Sequence, residues 1–268
     1  MTETGTIIKE GEFNYQVTGE EGRDVIVLLH GLMGELSNFG GLVDYFSKSH
    51  NVIFPVLPIF EMPLRKLSVT GLVDYVERFI DFKGYSNVHI VGNSLGGHIA
   101  QLFALRRPEL VSSLTLTGSS GLFENAMGNT FPKRGDYEYI RQKVQDVFYD
   151  PAIASKAYVD GLYEMVNNRG KAIRIITMAK SAIRHNLGDK LHGIKCPTLL
   201  VWGREDKVTP LFVGEKFNEL ISDSRLDIVE KCGHAPMMER PVEFNAAFES
   251  FLESISKKES ETIIASDS

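Results

Sequence analysis

The 268-residue sequence has few cysteines, no long apolar run and no excess of positive charge. Cys196 and Cys232 are too few for a disulfide scaffold, and we interpret both as small buried side chains in a protein of a reducing compartment. The longest strongly apolar segment is 25–29, whereas a membrane-spanning helix needs roughly 18 such residues. The formal net charge of −6 argues against a surface that neutralises nucleic-acid phosphates or an anionic membrane. We therefore expect no nucleic-acid partner and no membrane insertion.

The two ends of the chain differ from its middle. Residues 1–14 carry three glutamates and no apolar stretch, which predicts that a secretory signal is absent and that the protein is cytoplasmic. Residues 257–268 are rich in serine, lysine and glutamate, so we predict a disordered tail. Between the ends, a composition of 43% hydrophobic and 24% charged residues is ordinary for a globular protein with a full core.

Apolar segments that alternate with helical patterns predict an α/β fold. Residues 25–29 are continuously apolar and β-branched, as in a strand covered on both faces, and similar segments follow at 52–54, 88–91, 114–117, 198–202 and 226–229. Residues 13–17 instead alternate with polar neighbours, as on a half-exposed antiparallel strand. Helix-period patterns lie between the strands, for example over 72–80. This order predicts a mostly parallel, doubly wound sheet.

The alternation stops between residues 122 and 189. Three helical patterns, around 137–148, 152–167 and 172–183, occur there without a strand pattern. We predict that 122–189 is a helical cap inserted into an α/β core formed by 1–121 and 190–256. Such a cap lies over the carboxyl ends of the strands, where open α/β sheets bind ligands. Its apolar side chains pack the cap or enclose a substrate: Phe123, Met127, Phe131, Phe148, Tyr149, Tyr158, Tyr163 and Met165.

A G-x-S-x-G motif at residues 92–96 joins a predicted buried strand to a predicted helix, which is the context that this motif requires. The flanking glycines let neighbouring backbone approach a sharp, strained turn. Ser94 then lies at the amino end of a helix, where backbone N–H groups favour a developing oxyanion. The motif therefore predicts a serine nucleophile. A phosphate loop is excluded because no Lys-Ser/Thr pair follows.

A serine nucleophile needs a base and a group that orients the base. Asp206 follows the predicted strand 198–202, and His234 follows the last predicted strand. The adjacent Glu205 is the alternative acid. The chain order serine, acid, histidine is that of one catalytic lineage and differs from the orders of the chymotrypsin and subtilisin lineages.

These motifs, with the His-Gly-Leu-Met-Gly segment at 30–34, resemble the α/β-hydrolase superfamily over nearly the whole chain, from about residue 13 to 252. The resemblance implies an α/β-hydrolase fold. It implies that Ser94 is the nucleophile and that His234 is the general base and then the general acid. It also favours Asp206 as the orienting carboxylate, because the family places this residue four positions after the residue at Trp202.

By the same resemblance, segment 30–34 is the loop that supplies one oxyanion donor. The implied donors are the backbone N–H groups of Leu32 and Leu95, with Met33 as the alternative to Leu32. Side chains near the turn, near this loop and on the last cap helix are candidate substrate contacts: His30, Met33, Asn93 and Arg184. Arg174 is a further candidate for binding a substrate carboxylate, and the apolar loop 56–63 is expected to line a hydrophobic pocket.

The remaining histidines predict no metal site. His89 lies in a strand and His98 on the helix after Ser94, so we interpret both as structural. Three others show no ligand spacing with one another or with Cys196, and the H-E-x-x-H and C-x-x-C signatures are absent: His50, His185 and His192. We therefore expect neither a metal nor another cofactor.

The resemblance leaves three functions open for a small-molecule partner. A serine at position 94 excludes branches that attack with a carboxylate, and favours hydrolysis of carboxylic esters with small to medium acyl groups through an acyl-enzyme. Residues 92–97 are also similar to the meta-cleavage product hydrolases, which split a carbon–carbon bond in 2-hydroxy-6-oxo-dienoates. Segment 30–34 and the residues after His234 depart from the pattern of those enzymes. The third alternative is a non-catalytic ligand receptor with this fold.

Overall fold

A computed structural model describes residues 6–34, 36–123 and 134–266. Its strands are β1 (Ile8–Glu10), β2 (Phe13–Thr18), β3 (Val25–Leu29), β4 (Asn51–Pro55), β5 (Val88–Asn93), β6 (Val111–Thr117), β7 (Thr198–Gly203) and β8 (Ser224–Val229). They form one sheet in the order β1-β2-β4-β3-β5-β6-β7-β8. The pairs β1–β2 and β2–β4 are antiparallel and the other pairs are parallel. The predicted, mostly parallel α/β sheet is therefore confirmed.

Helices cover both faces of this sheet. They are α1 (Gly40–Phe46), α2 (Val69–Lys83), α3 (Leu95–Arg106), α4 (Tyr137–Gln145), α5 (Lys156–Asn167), α6 (Arg169–Arg184), α7 (Leu211–Leu220), α8 (Pro236–Glu239) and α9 (Pro241–Ser266). Alternate residues of β3 point to opposite faces: Val27 and Leu29 pack with α2, α3 and α7, whereas Ile26 and Leu28 pack with α1 and α9. The sheet is thus doubly wound, as predicted. Of the helices in the described ranges, none is long and apolar enough to cross a membrane.

Helix α2 illustrates how the sequence sets these boundaries. The Ser68 side chain accepts a hydrogen bond from the Gly71 N–H at 3.0 Å and caps the amino end. At the other end, Gly84 has a φ of 65°, a left-handed conformation that glycine adopts without strain. The side chains of the predicted apolar face are all buried: Leu72, Val73, Val76, Phe79 and Ile80.

The segment between β6 and β7 contains the three predicted helical stretches as α4, α5 and α6. Several hydrogen bonds join it to the rest of the chain, two of which are the following. Ser181 Oγ accepts from the N–H of Val69, the first residue of α2, and the Val147 carbonyl accepts from the His234 N–H. Met127 and Phe131, named above as cap side chains, lie outside the described residues. The cap boundaries at 122 and 189 stay a prediction.

Helix α9 continues to Ser266 and so includes residues 257–266 of the segment predicted to be disordered, whereas residues 267 and 268 lie outside the described residues. The helix starts at Pro241, a favourable first position for proline, and is fastened to the core by the buried Phe244, Phe248 and Ile255. Once a helix is nucleated, each further residue adds a backbone hydrogen bond, and lysine and glutamate are good helix formers. The composition of the tail does not show that a helix has already begun upstream and can continue into it.

The packing of α9 can be tested at Phe248, which is fully buried with its ring centroid 4.9 Å from that of Phe46. We expect Phe248→Ala to lower the free energy of unfolding by about 3–5 kcal/mol in urea titrations, because it leaves a cavity. Val242 on the same helix is 77% exposed, so Val242→Ala should change the free energy by less than about 0.5 kcal/mol. Equal stability of the two variants would show that α9 does not pack on the core.

Candidate active site

Ser94 lies at the sharp turn between β5 and α3, with a φ of 54° and a ψ of −118°. This conformation is strained for a residue with a side chain. The turn is tight because a Cβ on Gly92 would lie 2.6 Å from the Gly96 carbonyl oxygen, and a Cβ on Gly96 would overlap the Leu29 carbonyl. The Ser94 N–H donates to the Thr117 carbonyl at 3.2 Å. Backbone from β3 and β6 thus fixes the serine turn.

Asn93 ties this turn to the loop that carries His234. Its side-chain amide donates to the carbonyl of Thr117 at 3.0 Å and to the carbonyl of His234 at 3.2 Å. Ser120 adds a further support, because its N–H and its hydroxyl both donate to the Ser94 carbonyl at 3.2 Å. The two donors of the Asn93 amide nitrogen are thus used on the backbone, and its role as a substrate contact stays a prediction.

Asp206 and His234 form a buried hydrogen-bonded pair. Asp206 Oδ2 lies 2.9 Å from His234 Nδ1. The other oxygen, Oδ1, accepts from the N–H groups of Val208 and Thr209 at 2.8 and 2.9 Å, and the Thr209 hydroxyl donates to Oδ2 at 2.8 Å. An ionised carboxylate only accepts hydrogen bonds, so Nδ1 carries the imidazole proton and Nε2 is left as the acceptor. The carboxylate is held in place by three donors besides the histidine.

The alternative acid, Glu205, is used elsewhere. Its Oε2 accepts from the Cys232 N–H at 3.0 Å. The structure therefore brings Asp206, and not Glu205, to His234. Both carboxylates follow β7 and reach the loop after β8, because these two parallel strands are neighbours and end at the same edge of the sheet.

The loop 30–34 lies beside the serine turn, since a Cβ on Gly31 would lie 3.4 Å from the Cβ of Ser94. His30 is buried, with Nδ1 2.8 Å from the Gly31 carbonyl and Nε2 accepting from the Leu57 N–H at 3.1 Å. Its ring stacks on Phe54 with centroids 5.4 Å apart. Both ring nitrogens are engaged with the backbone, so His30 shapes the loop, and its expected contact with a substrate stays a prediction.

The other predicted positions are spread around this group. Leu95 is the first residue of α3, where backbone N–H groups have no partner within the helix. Leu32 is half-buried and Met33 is 38% exposed in the loop beside Ser94. Arg184 lies apart, in a groove of about 290 Å³ that is also lined by Leu102 of α3. The structure thus brings Leu32, Met33 and Leu95 to the serine turn but does not bring Arg184 there.

Arg174 joins the cap helix α6 to the loop 56–63. Its guanidinium donates to the carbonyls of Ile59 and Met62 at 3.2 and 2.5 Å. The side chain therefore binds α6 to the apolar loop 56–63. Both donors of Nη1 are used for this contact, and binding of a substrate carboxylate by Arg174 stays a prediction.

His89 and His98 are structural, as predicted. His89 Nδ1 lies 2.8 Å from Ser113 Oγ, and His98 Nε2 lies 2.8 Å from the His185 carbonyl. Burial lowers the pKa of each imidazole to about 4, so both are neutral at pH 7. Within the described parts of the chain, no group of three or more histidine, cysteine or acidic side chains could hold a metal ion.

Sequence reasoning missed three polar residues around the pair, namely Ser120, Thr209 and Glu239. Thr209 had a local signal, because donors two and three residues after an aspartate commonly bond to its carboxylate. Glu239 had none. Its carboxylate accepts from the backbone of Gly233 and from that of Tyr149 and Asp150, which are 90 and 89 positions away in the chain.

A family model of the alpha/beta hydrolase fold matches residues 24–241. The chain belongs to the α/β-hydrolase family and is a hydrolase of that class. The 2-hydroxy-6-oxo-6-phenylhexa-2,4-dienoate hydrolase of Comamonas testosteroni is 30% identical over 198 residues, covering 68% of this chain and 69% of that protein. Monoacylglycerol lipase ABHD6 of Mus musculus is 24% identical over 270 residues, covering 91% and 80%.

Solved structures agree with this family. MGS-MChE2, an alpha/beta hydrolase enzyme from the metagenome of sediments of the lagoon of Mar Chica, Morocco, is 42% identical with a TM-score of 0.77, over 93% of this chain and 98% of that one. A single-residue mutant of the meta-cleavage product hydrolase CumD is 25% identical with a TM-score of 0.81, over 93% and 98%. The named relatives therefore include enzymes that cleave different bonds on one fold.

The strain at Ser94 gives a stability prediction. Relative to Ser94→Ala, which keeps the Cβ, Ser94→Gly should raise the free energy of unfolding by about 1 kcal/mol. Glycine relieves a backbone strain of roughly 1–3 kcal/mol and costs roughly 0.5–1 kcal/mol in chain entropy. Urea unfolding of both variants measures the difference. A less stable Ser94→Gly would contradict the strained turn.

Proposed function

We propose that this protein is a serine hydrolase that cleaves carboxylic esters of small to medium acyl groups through an acyl-enzyme intermediate. The observation that carries the proposal is the buried Asp206–His234 hydrogen bond of 2.9 Å. Asn93 bonds the loop that carries His234 to the strained turn at Ser94. A base that is oriented by a carboxylate, on a loop bonded to the turn of a partly exposed serine, is an arrangement that can activate the hydroxyl.

In the first half-reaction, His234 Nε2 accepts the proton of the Ser94 hydroxyl while Oγ attacks the ester carbonyl carbon. The Asp206 carboxylate holds the Nδ1 proton and stabilises the imidazolium that forms. The carbonyl oxygen becomes an oxyanion and is stabilised by the N–H groups of Leu32 and Leu95. Collapse of the tetrahedral intermediate breaks the bond to the alcohol oxygen, which takes the proton from His234.

In the second half-reaction, His234 Nε2 accepts a proton from a water molecule that attacks the acyl carbon. The same two N–H groups stabilise the second oxyanion. The bond between the acyl carbon and Ser94 Oγ then breaks, the imidazolium returns its proton to Oγ, and the carboxylic acid leaves. His234 therefore carries every proton that is transferred in this sequence.

The surroundings of the turn support an apolar acyl group. The loop 56–63 contributes the buried Leu57, Ile59 and Met62, and Arg174 fixes this loop to α6. On another side, Phe123 packs edge to face on Phe212 with centroids 5.3 Å apart. Apolar side chains of this kind favour a substrate whose acyl group is apolar.

Carbon–carbon hydrolysis is the second candidate. It is supported by the 30% identity to a protein named as a phenylhexadienoate hydrolase. Two observations weigh against it: Nη1 of Arg174 donates to two carbonyls of loop 56–63, and the residues that line the groove of Arg184 do not include Ser94. Neither arginine is therefore assigned to the carboxylate of a dienoate substrate.

Replacement of the nucleophile tests the enzyme assignment. We expect Ser94→Ala to lower kcat/KM for p-nitrophenyl esters at least about 1,000-fold with the fold retained, because the attacking hydroxyl is removed. Ser113→Ala, on β6 and bonded to His89, is the matched control and should keep wild-type activity. Wild-type protein that hydrolyses neither esters nor a dienoate would contradict the enzyme assignment and favour a ligand receptor.

A substrate panel separates the two reactions. Esters of increasing acyl length and one 2-hydroxy-6-oxo-dienoate are assayed with enzyme whose concentration is set by fluorophosphonate titration. We expect kcat/KM to be highest for a short or medium ester and at least about tenfold lower for the dienoate. A preference for the dienoate would replace ester hydrolysis with carbon–carbon hydrolysis while leaving Ser94 as the nucleophile.

A further inference from the structure

The carboxylate of Glu239 joins two segments that are distant in the sequence. Glu239 ends the short helix α8 and is only 8% exposed. Its Oε1 accepts a short hydrogen bond from the Gly233 N–H. Its Oε2 accepts from the N–H groups of Tyr149 and Asp150 at 2.6 and 3.1 Å. One oxygen thus binds the histidine loop, residues 232–234, and the other binds the cap segment, residues 147–150.

These two segments also touch each other directly. The His234 N–H donates to the Val147 carbonyl at 2.8 Å. A Cβ on Gly233 would overlap that carbonyl and would lie 2.9 Å from the Phe148 Cα, so a side chain larger than hydrogen does not fit there. The backbone that carries the imidazole therefore rests on the cap segment as well as on the sheet.

The chemistry of this contact requires a carboxylate. Three backbone N–H groups from two segments need two acceptor oxygens, and an ionised carboxyl group supplies both with charge-assisted strength. A glutamine of the same shape offers one acceptor oxygen and an NH₂ group. The NH₂ would face an N–H donor, and at least one buried donor would lose its partner.

We propose that Glu239 is a positioning residue through which the cap segment controls where His234 stands relative to Ser94. This inference rests on the proposed function, in which His234 is the base. The imidazole is fixed at Nδ1 by Asp206 and at its backbone by Val147. A cap segment that moves away from the histidine loop breaks the backbone contact and the Glu239 bridge together, so cap position and base position are coupled.

The coupling predicts a loss in turnover without a matching loss in substrate binding. In Glu239→Gln, kcat per active site for a p-nitrophenyl ester should fall about 10- to 100-fold, because a displacement of the order of 1 Å at a catalytic group has such an effect. KM should stay within about twofold. Active sites are counted by fluorophosphonate titration, so a merely destabilised enzyme would keep its wild-type kcat per site.

Two further variants complete the experiment. Glu243→Gln removes the same charge from an exposed position on α9, four residues further along the chain, and should match the wild type. Glu239→Asp keeps both acceptor oxygens on a shorter side chain, so its kcat should lie between those of wild type and Glu239→Gln. This variant also tests the inference if Glu239→Gln does not fold. Wild-type kcat per site in the variants that fold would overturn the inference. Absence of labelling in the wild type would instead overturn the proposed function.

Discussion

The close contact between the end of β3 and the first turn of α3 is the constraint on which the site depends. Gly96 lies directly against the Leu29 carbonyl, and no side chain fits between them. This contact forces the chain at Ser94 into its positive-φ conformation and leaves the serine at the start of the helix. Because Leu29 leads directly into loop 30–34, the same contact brings that loop beside Ser94. One backbone approach thus sets the serine and both predicted oxyanion donors.

The acid and the base depend on a second constraint, the pairing of β7 with β8. Parallel neighbours end at the same edge, so the loops after them meet and Asp206 reaches His234. Thr209 and Val208 hold the carboxylate, while Glu239 and the cap segment hold the histidine loop. The pair is therefore fixed before any substrate arrives, which limits the reorganisation needed during proton transfer.

Local sequence patterns and the order of motifs in the chain made much of the fold and of the candidate site predictable. The buried strands, the strand-to-helix context of Ser94 and the order of acid and histidine are all features of neighbouring residues. Strand β1 was missed because its three residues are exposed and carry no apolar pattern. The helical extension of α9 was missed because composition does not register a helix that is already nucleated upstream.

Residues whose role comes from distant partners were not predictable. Glu239 bonds across 90 positions, and Arg174 binds carbonyls of a loop more than 100 positions earlier in the chain. Helical periodicity showed that Arg174 and Arg184 lie on α6, but not what each faces. His30 and Asn93 are near the turn as expected, yet backbone groups that the sequence does not reveal bond to both ring nitrogens of His30 and to the amide nitrogen of Asn93.

We propose that one serine, one histidine loop and two backbone N–H groups form a single reacting centre. A crystal structure of the protein after reaction with a fluorophosphonate measures this directly. We expect phosphorus bonded to Ser94 Oγ and the phosphoryl oxygen about 2.7–3.1 Å from the N–H groups of Leu32 and Leu95. Phosphorus on another residue, or a phosphoryl oxygen turned away from both N–H groups, would contradict the account.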